Sequence, residues 1–323
     1  MSKRPSFKFV SIAGLSLCGL MSLSFTAYSA PVSIFTVFGE GFTSLDKGVS
    51  QLDFDLTPTN LPNGGQLIQG GSEQVIRNPD SSEQILVSAA GGGMAMARPG
   101  SMGVKIDGAA SFAGDFGDVG GHAKGRFNAF SWQFLPITSS TLAIGTEVDF
   151  TVGFHLDGVT SSERAGPNNG PYTTRAFGGY DTGTFGFSFD AFVYDSTATT
   201  FQGSSASNGT FAFPNSLFTS IPTKFDSGRT FSLTGKVGDV IWLVISMDVQ
   251  VDDRAFGEYK VQTSHLDFSN TLNIFADPIT PGLDQFVANG HNYSSVSAVP
   301  LPPAFCLLAS AIGGIGLMRR RAN

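Results

Sequence analysis

Residues 241–251 read Ile-Trp-Leu-Val-Ile-Ser-Met-Asp-Val-Gln-Val, and this stretch decides the fold. Every second position carries a side chain that prefers a protein interior: Ile241, Leu243, Ile245, Met247, Val249 and Val251. Successive side chains of a strand point to opposite faces of its sheet, so a period of two predicts a β-strand with one face turned to a core. No other stripe of this kind in the chain is as long.

The same period recurs on both sides of this stretch. Residues 148–156 and 185–193 alternate in the same way, and a shorter stripe covers residues 52–56. Glycine (40) and phenylalanine (30) are abundant while charged residues make up only 14%, a balance that favours strands joined by many turns. No segment shows a helical stripe longer than about two turns. We therefore predict an all-β fold, an antiparallel two-sheet sandwich that is jelly-roll-like.

Turn-forming residues indicate where strands are expected to end. Asp107-Gly108, Asp157-Gly158 and the run Gly91-Gly92-Gly93 predict turns. Residues 158–184 are rich in Gly, Thr, Asn and Pro, and residues 196–229 are rich in Ser, Thr and Phe. Both segments are predicted to be long surface loops.

The first 29 residues have the three parts of a secretory signal peptide. A basic segment precedes an apolar run over residues 9–25, and small residues follow. Cleavage between Ser29 and Ala30 puts Ala27 and Ser29 at the two positions where the peptidase requires small side chains. We predict that signal peptidase removes residues 1–29 and that the secreted domain covers residues 30–293. The alternative is an uncleaved membrane anchor.

The other end of the chain is also specialised. A proline motif is followed by an apolar run from Phe305 to Met318 and then by three arginines. As a helix, residues 303–318 would span about 24 Å, which is short of a hydrocarbon core of about 30 Å. The arginines resist translocation and hold their end in the cytoplasm. The sequence therefore predicts a marginal, removable membrane anchor over residues 300–323, preceded by a tether over residues 294–299.

This three-part tail resembles the PEP-CTERM sorting signal in its Val-Pro-Leu-Pro variant, in which Leu301 stands at the position of the glutamate in the family's name. The matching residues are the motif Val299, Pro300, Leu301, Pro302, Pro303 and Ala304, and the cytoplasmic stop Arg319, Arg320 and Arg321. The resemblance implies processing by an exosortase, a membrane protease that cuts near the proline motif. It also implies a destination at the surface or in the extracellular matrix of a Gram-negative bacterium, after a transient stay in the inner membrane. An ordinary single-pass C-terminal anchor is the alternative.

A second resemblance lies inside the domain. Residues 266–272 are similar to a strand near the end of many domains that carry this sorting signal, and most of those domains have no assigned activity. The resemblance therefore supports a shared sandwich fold and implies a sorting route, with no activity attached.

Charge and cysteine content exclude several classes of function. The chain carries a net charge of −7, but six of its 19 basic residues lie in the two terminal segments and none of its 26 acidic residues does, so the middle has a net charge of −13. An acidic domain repels phosphate backbones, so no nucleic-acid partner is expected. Cys18 and Cys306 both lie in the terminal apolar segments, which excludes a disulfide framework and a thiolate metal site in the domain.

The four histidines are the first candidates for chemistry, but no two have zinc-ligand spacing. His155 lies on the polar side of its predicted strand with Glu147, Asp149 and Asp157. This group is interpreted either as a metal or acid–base site or as an ordinary solvent-exposed face of the strand. Asp115 and Asp118 with His122 offer oxygen ligands for calcium, but they lack the spacing of an EF-hand, and a turn is the preferred interpretation. The other two histidines are His265 and His291.

Carboxylates and tryptophans are the remaining candidates. Asp53 and Asp55 form a carboxylate pair of the kind that glycoside hydrolysis uses, although such pairs are common on plain strands. Asp252-Asp253-Arg254 is expected to end its strand in solvent. Trp132 and Trp242 have faces suited to stacking on sugar rings, but both lie in apolar strands, and packing in the core or sheet is preferred. No nucleophile elbow or phosphate-binding loop is present.

These observations predict a protein that is not an enzyme and needs no cofactor. We expect a structural or adhesive component of an exopolysaccharide or biofilm matrix that touches the membrane only through its tail. Its partners are signal peptidase and exosortase during export, and extracellular polysaccharide afterwards. A lectin-like module using the 158–184 loop and exposed aromatic side chains is the second hypothesis, and a secreted glycan hydrolase is the third.

The processing prediction can be checked by intact-mass analysis of the secreted protein. We expect a mass that lacks residues 1–29 and the tail, because both ends are recognised and cut during export. Secreted protein that retains Arg319 to Arg321 contradicts the sorting interpretation.

Overall fold

The computed structural model describes residues 32–45, 50–78, 81–112, 120–165, 183–195, 205–213, 223–255 and 261–295. These residues form fifteen strands and one short 3-10 helix, Pro62–Gly64. The first seven strands are β1 Ile34–Leu45, β2 Ser50–Asp53, β3 Asp55–Asn60, β4 Gln66–Asn78, β5 Ser81–Arg98, β6 Ser101–Phe112 and β7 Gly121–Pro136. The other eight are β8 Glu147–Ala165, β9 Gly183–Tyr194, β10 Ser205–Phe213, β11 Thr223–Lys236, β12 Val240–Ala255, β13 Val261–Pro278, β14 Val287–Ala288 and β15 His291–Asn292.

Eight consecutive strands, β6 to β13, pair as a nested series. β6 pairs with β13, β7 with β12, β8 with β11 and β9 with β10, each pair antiparallel. Further pairing of β8 with β13 and of β9 with β12 divides them into two sheets, ordered β11-β8-β13-β6 and β10-β9-β12-β7. A long hairpin rolled into two four-stranded sheets in this order is a jelly roll, so the predicted fold class is confirmed.

The five N-terminal strands widen both sheets. β1 pairs with β7 and β2 pairs with β1, which gives a six-stranded sheet. β5 pairs with β6, and β4 and β3 follow, which gives a seven-stranded sheet. All these pairs are antiparallel, and β14 and β15 form a separate two-stranded sheet.

The core fills the space between the two sheets with the side chains of the predicted stripes. The inward side chains of β12, from Ile241 to Val251, are completely buried. Phenylalanines from the two sheets meet in the middle: Phe185 stacks on Phe268 with ring centroids 3.9 Å apart, and Phe154 lies 4.8 Å from Phe187. Full burial of one such side chain stabilises the fold by about 1.5–3 kcal/mol. In the 52–56 stripe only Phe54 is buried, because β2 and β3 belong to different sheets and Leu52 is left 48% exposed.

Three predicted turns are wrong, because their glycines lie inside strands. Gly91 to Gly93 lie within β5, Gly108 within β6 and Gly158 within β8. A β-carbon on Gly158 would lie 2.3 Å from the ring of Phe268, and one on Gly91 would lie 2.8 Å from the ring of Phe54. These glycines leave room for phenyl rings in the core, which is a packing role that turn propensity does not reveal.

The two predicted long loops are also partly wrong. β8 continues through residues 158–165, and β10 and the first half of β11 lie within residues 196–229. Residues 166–182, 196–204 and 214–222 lie outside the described residues. The strands extend further because antiparallel partners supply backbone hydrogen bonds, which override the weak local preference of Ser- and Gly-rich sequence.

The folded part ends close to the predicted domain boundary. The backbone N–H of Ser295 and the hydroxyl of Ser294 donate hydrogen bonds to Asp277 Oδ1, at 2.9 and 3.3 Å. The first two residues of the predicted tether are therefore held to the sandwich. The signal peptide, the sorting motif and the arginine cluster lie outside the described residues, and no helix within the described part is long and apolar enough to cross a membrane.

The fit between Gly158 and Phe268 can be tested by a double-mutant cycle. Gly158→Ala should lower the free energy of unfolding by about 1–3 kcal/mol, because the added methyl group overpacks the core. Urea denaturation of the exported protein measures this loss. In a Phe268→Leu background the same substitution should lower the free energy of unfolding by clearly less. Equal losses in both backgrounds would show that the Phe268 ring does not clash with the added methyl group.

Candidate functional site

The outer face of the six-stranded sheet carries an unusual strand. In β7 the inward side chains include Phe127, Ala129 and Leu135, but also Ser131 and Gln133, both completely buried. The residues between them, Phe130, Trp132 and Phe134, point outward and are only half-buried. Over residues 130–134 the strand therefore has its polar side chains inside and its aromatic side chains outside, which reverses the usual preference.

The buried polar side chains are fully engaged. Gln133 Oε1 accepts hydrogen bonds from the Tyr293 hydroxyl at 2.5 Å and from the Gly100 N–H at 3.1 Å, while Gln133 Nε2 donates to Ser131 Oγ at 3.1 Å. Burial raises the pKa of Tyr293 far above its ordinary value, so its hydroxyl remains a donor. This network removes the penalty of burying Gln133 and holds β7 in the phase that turns its aromatic side chains outward.

The outward aromatic side chains of three neighbouring strands form one surface, which we call the aromatic patch. Cross-strand pairing places Trp242 of β12 between Phe134 of β7 and Phe192 of β9. The Trp242 ring lies edge-on to Phe134 at 5.1 Å and stacks on Tyr194 at 5.6 Å. The aromatic patch consists of Phe130, Trp132, Phe134, Phe192, Tyr194 and Trp242.

Polar groups border the aromatic rings on the same face. Asp190 faces Val244 across the β9–β12 pair, one row below Trp242, and Val244 in turn faces Trp132. In the next row Ser188 and Ser246 are hydrogen-bonded at 2.7 Å. Flat rings next to carboxylate and hydroxyl oxygens can stack on a sugar ring and accept its hydroxyl protons at the same time.

The far half of this face is charged, and we call it the charged patch. Arg126 makes a bidentate pair with Asp248, and Arg254 makes another with Asp252, at 2.7 and 3.0 Å in both cases. His122 Nε2 also lies 3.0 Å from Asp252. Burial by itself raises the pKa of Asp252, but hydrogen bonds from His122 and Arg254 outweigh it and hold that pKa far below its ordinary value. These pairs largely neutralise one another, so the charged patch has no strong preference for either sign of ligand.

The seven-stranded sheet has a shallow groove on its outer face. Two adjoining hollows of about 420 and 470 Å³ share Asp107, and their floors include Gly70, Gly92 and Ala109. Lys105 Nζ lies 3.5 Å from Asp107 and 3.4 Å from Asp267, and His265 Nδ1 contacts the other Asp107 oxygen. The groove is lined by polar groups that are already bonded to one another.

The pKa values in the groove follow from these contacts. Burial by itself raises the pKa of Asp267, but hydrogen bonds from Ser269 and the charge of Lys105 outweigh it, and the net pKa is below the ordinary value. Burial lowers the pKa of Lys105, but the charges of Asp107 and Asp267 outweigh that effect and raise it. Asp267 is therefore held in its ionised form, which is the opposite of what a general acid requires.

Most of the other candidates from the sequence are not brought together. His155 lies on an outer face and pairs with Asp226 at 2.9 Å, and not with Glu147, Asp149 or Asp157. Asp53 and Asp55 lie in β2 and β3 of different sheets.

Asp115 and Asp118 lie outside the described residues, within which no cluster of metal-ligating side chains is found. His291 stands edge-on to Tyr293, and burial together with the Arg98 charge lowers its pKa.

Two expectations about β12 and β7 need correction. Trp132 and Trp242 pack against aromatic neighbours on the outer face of the sheet and not in the core, so only the core half of that expectation is wrong. Phe127, Leu135 and the inward stripe of β12 fix the phase of both strands. The triplet 252–254 does not end its strand in solvent: Asp253 is completely buried and accepts a hydrogen bond from Ser264 Oγ at 2.7 Å. The sequence did contain a signal for the aromatic patch. Phe130, Trp132 and Phe134 occupy the alternate positions that face away from the apolar inward side chains of their strand, so both faces of β7 carry large apolar side chains.

Comparison with known proteins adds no assignment, since no protein-family model, curated protein or solved structure matches the chain. The site is therefore defined by its own geometry: a jelly roll with an aromatic patch on the outer face of one sheet.

The charge network around Asp252 predicts a pH-dependent contribution to stability. Because the pKa of Asp252 is lower in the folded protein than in the unfolded chain, its stabilising effect is complete above its ordinary pKa of 3.8 and is lost as the pH falls further. Asp252→Asn should lower the unfolding free energy by about 1–3 kcal/mol at neutral pH. Urea titrations from pH 7 to pH 2 should show the difference in unfolding free energy between the two proteins shrinking steadily below about pH 4, and a difference as large at pH 2 as at pH 7 contradicts the network.

Proposed function

We propose that this protein is an exported, non-enzymatic component of an extracellular polysaccharide matrix and that it binds polysaccharide through the aromatic patch. The observation that carries the proposal is the reversed phase of β7, in which Phe130, Trp132 and Phe134 point outward while Ser131 and Gln133 are buried. Strands usually bury apolar side chains and expose polar ones. A strand that reverses this order, and whose buried polar groups are hydrogen-bonded by other parts of the chain, does so most often at a functional site.

The chemistry of the patch favours carbohydrate over other ligands. Pyranose rings have an apolar face that stacks on Trp and Tyr, and rim hydroxyls that donate to oxygens such as those of Asp190. The aromatic rings along β7 recur every second residue, or about 6.8 Å, so the surface suits an extended chain better than one small molecule. The net charge of −13 outside the terminal segments disfavours strongly anionic polymers, so a neutral or weakly charged polysaccharide fits best.

The sorting signal supports the same destination. A signal peptide at residues 1–29 and the Val299–Ala304 motif with its arginine stop imply export and exosortase processing. Such processing would deliver the domain to the cell surface or the extracellular matrix, with no need for a cofactor.

A glycan hydrolase is the less favoured alternative. Asp107 lines the groove, and Lys105 bridges it to Asp267. A general acid needs a raised pKa, whereas Asp267 has a lowered one. The lectin-like hypothesis is retained in altered form: the aromatic patch replaces the 158–184 loop as the proposed site.

Retention on the host's own exopolysaccharide tests the proposal. Trp132→Ala and Trp242→Ala should each weaken binding by roughly tenfold, because each removes one stacking platform worth about 1.4 kcal/mol. The measurement is affinity electrophoresis in gels that contain the polysaccharide.

The matched control is Phe275→Ala, which removes a half-buried aromatic side chain from the outer face of the opposite sheet and should leave retention unchanged. Sedimentation velocity on the same variants separates sugar binding from self-association through the patch. Undiminished retention of both tryptophan variants, or release of reducing sugar by the wild-type protein, contradicts the proposal.

A further inference from the structure

One end of the sandwich is built from three connections, which we call the loop end. These are residues 137–146 between β7 and β8, the turn 237–239 between β11 and β12, and residues 279–286 after β13. They are joined by hydrogen bonds: Gly145 N–H donates to the carbonyl of Val237 at 2.8 Å, and Asp284 N–H donates to the carbonyl of Thr138 at 3.0 Å. Ser139 Oγ donates to the carbonyl of Gly282 at 2.6 Å. The loop end is therefore one continuous surface.

The chain enters and leaves the sandwich at this same end. Ser33 Oγ accepts hydrogen bonds from the Phe134 N–H at 3.2 Å and from Asn289 Nδ2 at 2.6 Å. At the other terminus, Ser295 N–H donates to Asp277, one residue before β13 ends. The tail that follows residue 295 therefore departs from the loop end.

The loop end also carries the most exposed apolar side chains. Within the described residues, four large hydrophobic side chains are more than half exposed: Val32 at 77%, Ile144 at 82%, Ile279 at 54% and Val287 at 52%. All four lie at this end, whereas the outward aliphatic side chains elsewhere, such as Ile76 at 38%, are less exposed. Apolar side chains raised on loops around a chain exit point are suited to insertion into the boundary of a lipid bilayer.

The length of the tail limits how far the bilayer can be from this end. Nine residues lie between Ser295 and Phe305, where the apolar run begins, and the ten Cα–Cα steps reach at most about 35 Å when fully extended. A 16-residue strand such as β12 is about 54 Å long, so the opposite end of the sandwich is farther away than the tether can reach while the domain stands upright. The loop end is thus kept close to the membrane, at an effective concentration in the millimolar range.

We propose that the loop end rests on the bilayer surface while the tail is attached, with Ile144, Ile279 and Val287 in the boundary between headgroups and acyl chains. The proposal rests on the proposed function in one respect, namely the exosortase-processed tail, whose apolar run, residues 305–318, is predicted to enter the membrane. The acidic side chains at this end, Glu147, Asp149, Asp239, Asp277 and Asp284, outnumber the basic side chains of Lys236 and Arg98. The contact therefore depends on apolar insertion and is favoured by zwitterionic lipid over anionic lipid.

Site-specific fluorescence tests the proposal on the full chain lacking only residues 1–29. In a Cys306→Ser background, an environment-sensitive nitrobenzoxadiazole label is attached to the variant Ile144→Cys or Ile279→Cys, and the protein is reconstituted into phosphatidylcholine vesicles. The matched control label is at position 76, an exposed isoleucine on β4 near the other end of the sandwich. Lipids with a nitroxide near the headgroup should quench positions 144 and 279 at least twofold more than position 76.

Two results overturn the proposal, and they differ in what else they affect. Equal quenching at positions 144 and 76 in protein that floats with the vesicles overturns the membrane contact alone. Protein that does not float overturns the membrane contact together with the membrane role of the tail, while polysaccharide binding by the aromatic patch is measured independently. Unchanged urea midpoints of the labelled variants confirm that the fold is intact.

Discussion

Phenylalanine rings that meet between the two sheets are the contacts on which the rest of the structure depends. Phe185 stacks on Phe268, and Phe154 contacts Phe187 and Phe189, so that each ring is held by strands from both sheets. Interiors pack at the density of organic crystals, so rings of this size fit only where a facing position is small. The glycines inside the strands supply that space, and this explains why a chain so rich in glycine forms long strands instead of many turns.

This packing also determines the outer faces. Once the inward stripe of β12 is buried, Trp242 has to point outward, and the pairing of β12 with β7 sets the neighbours of each outward side chain. In β7 the same constraint turns Phe130, Trp132 and Phe134 outward, and Gln133 is accommodated inside by Tyr293 and Gly100. The aromatic patch is thus a consequence of core packing together with one buried hydrogen-bond network.

The two proposed contacts of the protein lie near each other. β7 ends and β12 begins at the loop end, so the rows that contain Phe134, Trp242 and Tyr194 are close to the exit point of the tail, while the charged patch lies toward the opposite end. Membrane contact and polysaccharide contact therefore involve adjacent surfaces. The state of the tail is expected to decide how freely long polymer chains can reach the aromatic patch, since a nearby bilayer restricts access from one side.

The sequence by itself determined the strands with strict alternation and the sandwich class, because side-chain period is a local property. Its two terminal signals stay predictions from apolar length and motif. It did not determine that Gly91, Gly108 and Gly158 lie within strands, that Asp253 is buried, or that Trp132 and Trp242 share one face. Those facts depend on which strands pair and in what register, and residues far apart in the chain decide both. A period of two indicates that a residue faces one side of its strand, but only the packed neighbours decide whether that side is the core or the solvent.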